Sequence, residues 1–253
     1  MLVTALLLAL AQAPQCINSN GTSVCGYDCK GESGKVKCAQ TPEGVCATSG
    51  GNVGCFDPPN AVRAVYSPPP KPTCKAADGK VVCGYNCVQG ESSVDCAKTP
   101  RGVCEAKYAR VVCFDPPPEV YAVYGASVPT PSCEARDGKV VCGYGCAYGG
   151  GEVACARTPA GACIERSGKV TCMDPPGRAL CAGGAKMAKA TCKAEAGKLA
   201  CGYDCQAFGG DLKCAQTPAG KCSATAAGTT CFDPPPEGGA QACLSVLGAT
   251  YAP

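Results

Sequence analysis

The chain has 253 residues, 26 of them cysteine, with no Trp, no His, four Phe and ten Tyr. Cysteine at about a tenth of the chain points to a disulfide scaffold, and the shortage of large side chains excludes one core spanning the whole length in favour of several small stapled units. A formal charge of +3, from 23 basic and 20 acidic residues, lacks the basic footprint that nucleic acid demands, so no nucleic-acid partner is expected.

Residues 1–13 form the first predicted element. Leu2 to Ala11 is apolar, and small residues follow at Ala9-x-Ala11 and Ala11-x-Ala13, the pattern of a signal peptide and its cleavage site. Export is the consequence, to the medium, the periplasm or the cell envelope. The missing basic n-region leaves a buried N-terminal strand or helix as the competing assignment. The run is too short to cross a bilayer, so no transmembrane segment is expected. Cys16 follows "APQ", a poor lipobox, and falls in register with the repeat, so it belongs to the fold.

From Cys16 onward one cysteine ruler recurs four times. Cys16, Cys25, Cys29, Cys38, Cys46 and Cys55 are separated by 9, 4, 9, 8 and 9 positions. The same intervals separate Cys74, Cys83, Cys87, Cys96, Cys104 and Cys113; then Cys133, Cys142, Cys146, Cys155, Cys163 and Cys172; then Cys192, Cys201, Cys205, Cys214, Cys222 and Cys231. The words between them repeat too, as CGYxC, CAxTPxGxC and C(F/M)DPP. The repeats occupy 16–59, 74–117, 133–176 and 192–235. An even six cysteines per repeat lets each close its own bonds, which favours separate beads over a solenoid of shared cores.

Each repeat contains three C-x8-C segments. In nine of the twelve the fifth intervening residue is Gly: Gly21, Gly34, Gly51, Gly79, Gly138, Gly151, Gly168, Gly197 and Gly210. Asn20-Gly21, Asp78-Gly79 and Asp137-Gly138 are type I′ hairpin signals, because both central residues of that turn need positive φ. Ten of the twelve segments carry Val or Leu two positions before the second Cys, on the face that period-two alternation gives the cysteines. The fold class is therefore a small disulfide-rich all-β protein of four tandem units of about 42 residues. Each unit is three short β-hairpins with a cystine-and-valine core. Opposed residues of a hairpin come within disulfide range, so local pairing is allowed, yet six cysteines permit 15 connectivities and spacing does not choose among them.

The segments 60–73 and 118–132 are Pro-rich linkers, read as semi-extended spacers, in which Val65-Tyr66 and Val123-Tyr124 recur. These pairs either pack back on a unit or offer a sticky segment to a partner. The linker 177–191 carries Cys181 and the tail 236–253 carries Cys243, the two cysteines outside the ruler. They flank the fourth unit, and a Cys181–Cys243 clasp around it is the preferred pairing, with an intermolecular bridge as the alternative.

Several chemistries are disfavoured. The closest thiols are C-x3-C pairs, there is no His, and the export signal implies an oxidising compartment, so neither a metal site nor a redox centre is expected. Without His the usual nucleophile and base constellations are missing, so no enzyme and no cofactor are expected. Asp57, Asp115, Asp174 and Asp233 precede Pro-Pro, where Asp caps its own turn, and Thr41, Thr99, Thr158 and Thr217 are turn residues of TPxG. Tyr27, Tyr85, Tyr144 and Tyr203 of CGYxC are either core or ligand-facing rings. Sequence varies at the hairpin tips, where binding specificity on a rigid scaffold resides.

The string CGYxC…CAxTPxGxC…CFDPP, across roughly residues 16 to 236, resembles cysteine-rich repeats of predicted secreted proteins of myxobacteria and similar soil bacteria. The resemblance implies a bacterial source, export and a disulfide fold, and transfers no catalytic residue. Three functions fit these features: an exported structural or binding protein whose partner is another protein or an envelope glycan, a multi-headed protease inhibitor, or a thiolate metal-sequestering protein. The first predicts an intact mass without alkyl adducts when the exported protein is alkylated before reduction, on a chain cut after Ala11 or Ala13. Multiple adducts on an uncut chain would contradict it.

Overall fold

The computed structural model describes residues 13–235 together with Cys243. Residues 1–12 of the expected signal peptide, and the tail apart from Cys243, lie outside the described residues.

The first unit contains β1 (Gln15–Ser19), β2 (Thr22–Glu32), β3 (Lys35–Ala39), β4 (Val45–Ser49) and β5 (Asn52–Phe56). Strand β2 is long because it serves two hairpins, pairing first with β1 and then with β3, while β4 and β5 form a third hairpin. The second unit repeats this with β6 (Thr73–Ala77), β7 (Lys80–Gln89), β8 (Val94–Ala97), β9 (Val103–Lys107) and β10 (Arg110–Phe114). The third has β11 (Ser132–Arg136), β12 (Lys139–Gly149), β13 (Glu152–Ala156), β14 (Ala162–Arg166) and β15 (Lys169–Met173). The fourth has β16 (Thr191–Glu195), β17 (Lys198–Phe208), β18 (Asp211–Ala215), β19 (Lys221–Thr225) and β20 (Gly228–Phe232). The architecture is a disulfide-rich all-β repeat of small antiparallel sheets.

The tips show why the pattern folds this way. Asn20 and Gly21 have φ of 48° and 78°, and Asp78 and Gly79 have 48° and 75°, the left-handed pair of a type I′ turn. With Ser19 opposite Thr22, counting back along the ladder places Cys16 opposite Cys25 in a non-hydrogen-bonded pair, where strands approach most closely. Their Cα atoms are 4.0 Å apart.

The long strand bends where hairpins one and two meet. Pairing is interrupted between Tyr27 and Lys30, Tyr85 and Val88, Tyr144 and Ala147, and Tyr203 and Gln206. The residue after each Tyr sits at positive φ: Asp28 at 41°, Asn86 at 47°, Gly145 at 51° and Asp204 at 45°. Asp, Asn and Gly are the types that tolerate this region. The bulge turns the second hairpin onto the first. Sγ of Cys38 lies 3.5 Å from the Val24 carbonyl oxygen, and Sγ of Cys96 lies 3.5 Å from that of Val82. A disulfide sulfur carries no hydrogen, so these are packing and dipolar contacts.

The stacking continues across the units, and the units are not separate beads. The third hairpin of each unit packs on the first hairpin of the next: β5 on β7, β10 on β12 and β15 on β17. Sγ of Cys83, Cys142 and Cys201 meets the carbonyl oxygens of Gly54, Val112 and Thr171 at 3.6, 3.9 and 3.5 Å. Flat, cross-linked hairpins without bulky side chains leave room for the next layer at every step. The result is a continuous stack of twelve hairpins rather than four independent cores.

The linkers also differ from extended spacers. Each contains a short helix: α1 (Asn60–Val65), α2 (Pro118–Tyr124) and α3 (Gly177–Gly183). The prolines of DPP enter a first turn easily because its N–H groups lack intrahelical partners, and α2 carries Pro at its start. Gly125 and Gly184, at φ of 57° and 64°, end α2 and α3. The helices contact one another along one side of the stack, α1 with α2 and α2 with α3. Val120, Tyr121, Val128, Ala160 and Leu180 form a buried cluster there, with Val65, Tyr66, Val123 and Tyr124 packed against it. The largest fully buried side chains are thus mostly in the linkers, and cystine-and-valine is not the only core.

Leu180→Ala is expected to cost about 2 to 5 kcal/mol, as for other large-to-small core changes, while Lys139→Ala stays within about 0.5 kcal/mol. Guanidinium unfolding with disulfides intact checks both; equal midpoints would remove the helix row from the core.

Candidate functional site

Every ruler cysteine pairs within its own hairpin: 16–25, 29–38, 46–55, 74–83, 87–96, 104–113, 133–142, 146–155, 163–172, 192–201, 205–214 and 222–231. Cys181 of α3 pairs with Cys243, with Cα atoms 5.6 Å apart. Among the described residues no cysteine is free, and no group of three or more His, Cys, Asp or Glu is placed to hold a metal ion.

The motif CAxTPxGxC…DPP is one contact set. Asp174 Oδ1 accepts from the Thr158 N–H at 2.7 Å and from Thr158 Oγ1 at 2.9 Å, and its Oδ2 accepts from the Arg157 N–H at 2.9 Å. Asp57, Asp115 and Asp233 hold Thr41, Thr99 and Thr217 in the same way. Each Asp therefore caps a turn 16 residues upstream, not the turn it belongs to. The reason is the hairpin: Cys163 opposite Cys172 brings the end of β15 back beside the loop that precedes β14. The capped loops are β-turns, with the Gly161 N–H donating to the Thr158 carbonyl at 3.0 Å and the same bond at Gly44, Gly102 and Gly220. A Cβ on Gly161 would fall within 3.0 Å of Asp174 Oδ1 and the Ala156 Cβ, so only glycine closes this turn. These recurrent carboxylates are structural staples.

The CGYxC tyrosines of the second, third and fourth units face inward, and Tyr27 of the first is half-buried. Tyr85, Tyr144 and Tyr203 are 5%, 7% and 7% exposed. Tyr144 Oη donates to the Pro129 carbonyl at 3.0 Å, and Tyr203 Oη to that of Ala188 at 3.0 Å. The corresponding bond of Tyr85, to Pro70, is absent. Tyr85 Oη is buried without a partner, and so is Tyr66 Oη.

Beside this pair of phenols lies a cavity of about 500 Å³, walled by Tyr66, Tyr85, Lys71, Asn86, Pro100 and Arg101 among others. Asn86 Nδ2 donates to the carbonyls of Pro100 and Gly102 at 3.2 and 2.7 Å, which fixes one wall. Burial, with smaller contributions from Tyr121, Glu43 and Tyr66, pushes the Tyr85 phenol up to about 12, so it stays protonated at physiological pH. The cavity combines aromatic faces with an ammonium and a guanidinium. Such a surface takes polar ligands with acceptor groups, sugars and carboxylates among them.

The residue after each Tyr was not a candidate in the sequence. Asp28 Oδ2 and Asp204 Oδ2 accept from the N–H of Cys46 and Cys222 at 2.7 and 2.9 Å, tying the bulge to the third hairpin. The recurrence of Asp, Asn and Gly at one place was the available signal. Fold and site define a class: a disulfide-stapled, all-β repeat protein with a polar cleft between its first linker and its second unit. Comparison with protein-family models, curated proteins and solved structures finds no match.

Asp174→Ala removes three hydrogen bonds to a carboxylate and is expected to cost about 2 to 3 kcal/mol, with faster amide exchange at Thr158. Unchanged exchange there would rule out the staple. The Asp204 carboxyl is held below the usual range, first by the Cys222 N–H and then by Gln206. A depressed folded-state pKa means that this contribution is present above the unfolded value and lost as pH falls through the folded one. An NMR titration should therefore show Asp204 titrating below an unstructured Asp, and coincident curves would contradict it.

Proposed function

We propose that this chain is an exported, non-enzymatic repeat protein with a structural or binding role at the cell envelope or outside the cell. The observation that carries the reading is the closed set of local cystines among the described residues. Thirteen cross-links persist in an oxidising compartment and are reduced in a cytosol. The apolar N-terminal run and the resemblance to secreted bacterial repeats support export. No helix of the described residues is long and apolar enough to cross a membrane.

A stack whose every layer is internally cross-linked suits a rigid scaffold that resists proteolysis and unfolding. The cleft beside Tyr85 adds one place for a polar ligand, with an envelope glycan as the favoured class and a protein segment as the alternative. Type I′ tips leave little protruding loop on most hairpins, which counts against the inhibitor reading, and paired thiols count against metal sequestration.

Fractionation of cells expressing the tagged chain should place it in the medium or envelope fraction, and the purified protein should co-sediment with isolated envelope glycan. Lys71→Ala with Arg101→Ala should reduce that co-sedimentation at least several-fold. Recovery from the cytosol would end the export reading, and glycan binding indifferent to both changes would end the cleft's part in it.

A further inference from the structure

One junction recurs three times in this chain. At the first two, an aromatic ring at the end of the third hairpin meets the CGYxC tyrosine of the next unit edge-on: Phe56 with Tyr85 at 5.7 Å, and Phe114 with Tyr144 at 6.0 Å between centroids. At the third, Met173 stands in the aromatic position and packs on the cluster containing Tyr203. The sulfur of the first hairpin's second cysteine rests on a carbonyl of the preceding hairpin each time.

Among the described residues, the two ends of the stack each display half of this junction. At one end Phe232 occupies the position of Phe56 and Phe114 and is 69% exposed, the most open large apolar side chain among the described residues. At the other end Tyr27 is only half-buried where its three counterparts are buried, and Cys25 is exposed where Cys83 and Cys142 are buried and Cys201 is half-buried. The end hairpins also lack charge. Between Cys16 and Cys25, and between Cys222 and Cys231, there is no ionisable residue, whereas the first hairpins of the other three units all carry Lys together with Asp or Glu. The segments between these cysteines bring no charge into the contact, which lowers its desolvation cost.

We propose that the fourth unit of one chain docks on the first unit of a second copy, continuing the hairpin stack head to tail. Phe232 packs edge-on against Tyr27 of the second copy, and Cys25 of that copy rests on the Thr230 carbonyl, as Cys83 rests on Gly54. The contact is heterologous, so its product is an open filament or a closed ring rather than a two-fold dimer. The surfaces are already shaped for each other because the chain makes the same interface within itself three times.

Sedimentation of the full oxidised chain from micromolar to millimolar concentration tests this. The weight-average mass should rise with concentration beyond that of a dimer. Phe232→Asp should abolish the rise, and Phe208→Asp, at a 51% exposed ring on a hairpin tip, should leave it unchanged. A photo-crosslinking residue at position 232 should label the Cys16–Cys25 hairpin of a second chain. A monomer across the whole range, equal effects of the two substitutions, or crosslinks confined to the same chain would overturn the proposal. Retained circular dichroism of the Asp variants separates lost association from lost folding.

Discussion

A two-stranded hairpin of ten residues is marginal in water, because the entropy of ordering it exceeds what two short strands recover. The cystine across its open end changes that balance. By removing loop-closure entropy from the unfolded chain, each bond contributes about 2.7 kcal/mol in the chain-entropy model. The pairing is local because the two-residue turn sets the register, and the register puts both cysteines at a narrow, non-hydrogen-bonded position. Without that register the layers, and the stack built on them, would have no means of persisting on so few large side chains.

Once the layers exist, the remaining motifs have the task of turning the chain from one to the next. A left-handed Asp, Asn or Gly after each Tyr bends the long strand, and its side chain ties the bend to the third hairpin where it is Asp28 or Asp204. The TPxG turn, held from a distance by the DPP aspartate, carries the chain from the second hairpin to the third. A short helix then returns it to begin the next unit, and these helices bury the side chains that the hairpins are too flat to cover. Stability is shared between a covalent ladder of cystines and a small apolar seam along the helices.

The hairpins were legible in the sequence, which left their cystine pairing open, and the seam was not. Cysteine spacing and Asn-Gly or Asp-Gly tips carry their information within ten residues, and period-two alternation is visible by inspection. The helices span six or seven residues, too few to show a helical period, and begin in prolines that read equally as an extended linker. The DPP aspartate was read as capping its own turn because its partner lies 16 positions away, a distance that only the closed hairpin abolishes. Even numbers of cysteines per unit argued for independent beads, and the argument failed because covalent closure of a layer says nothing about what covers its face. The cleft was invisible for a related reason: its walls come from segments up to 35 residues apart, and nothing in the sequence shows that Tyr85 lacks the carbonyl that Tyr144 and Tyr203 find in their linkers.

Peptide mapping of the native protein without reduction, with a protease of broad specificity such as pepsin to cut between the cysteines of hairpins that contain no Lys or Arg, decides whether the layers are built as described. Each ruler cysteine should be found joined to the one nine positions away, and Cys181 to Cys243. A single cystine joining two different hairpins would contradict the local ladder, and with it the stack.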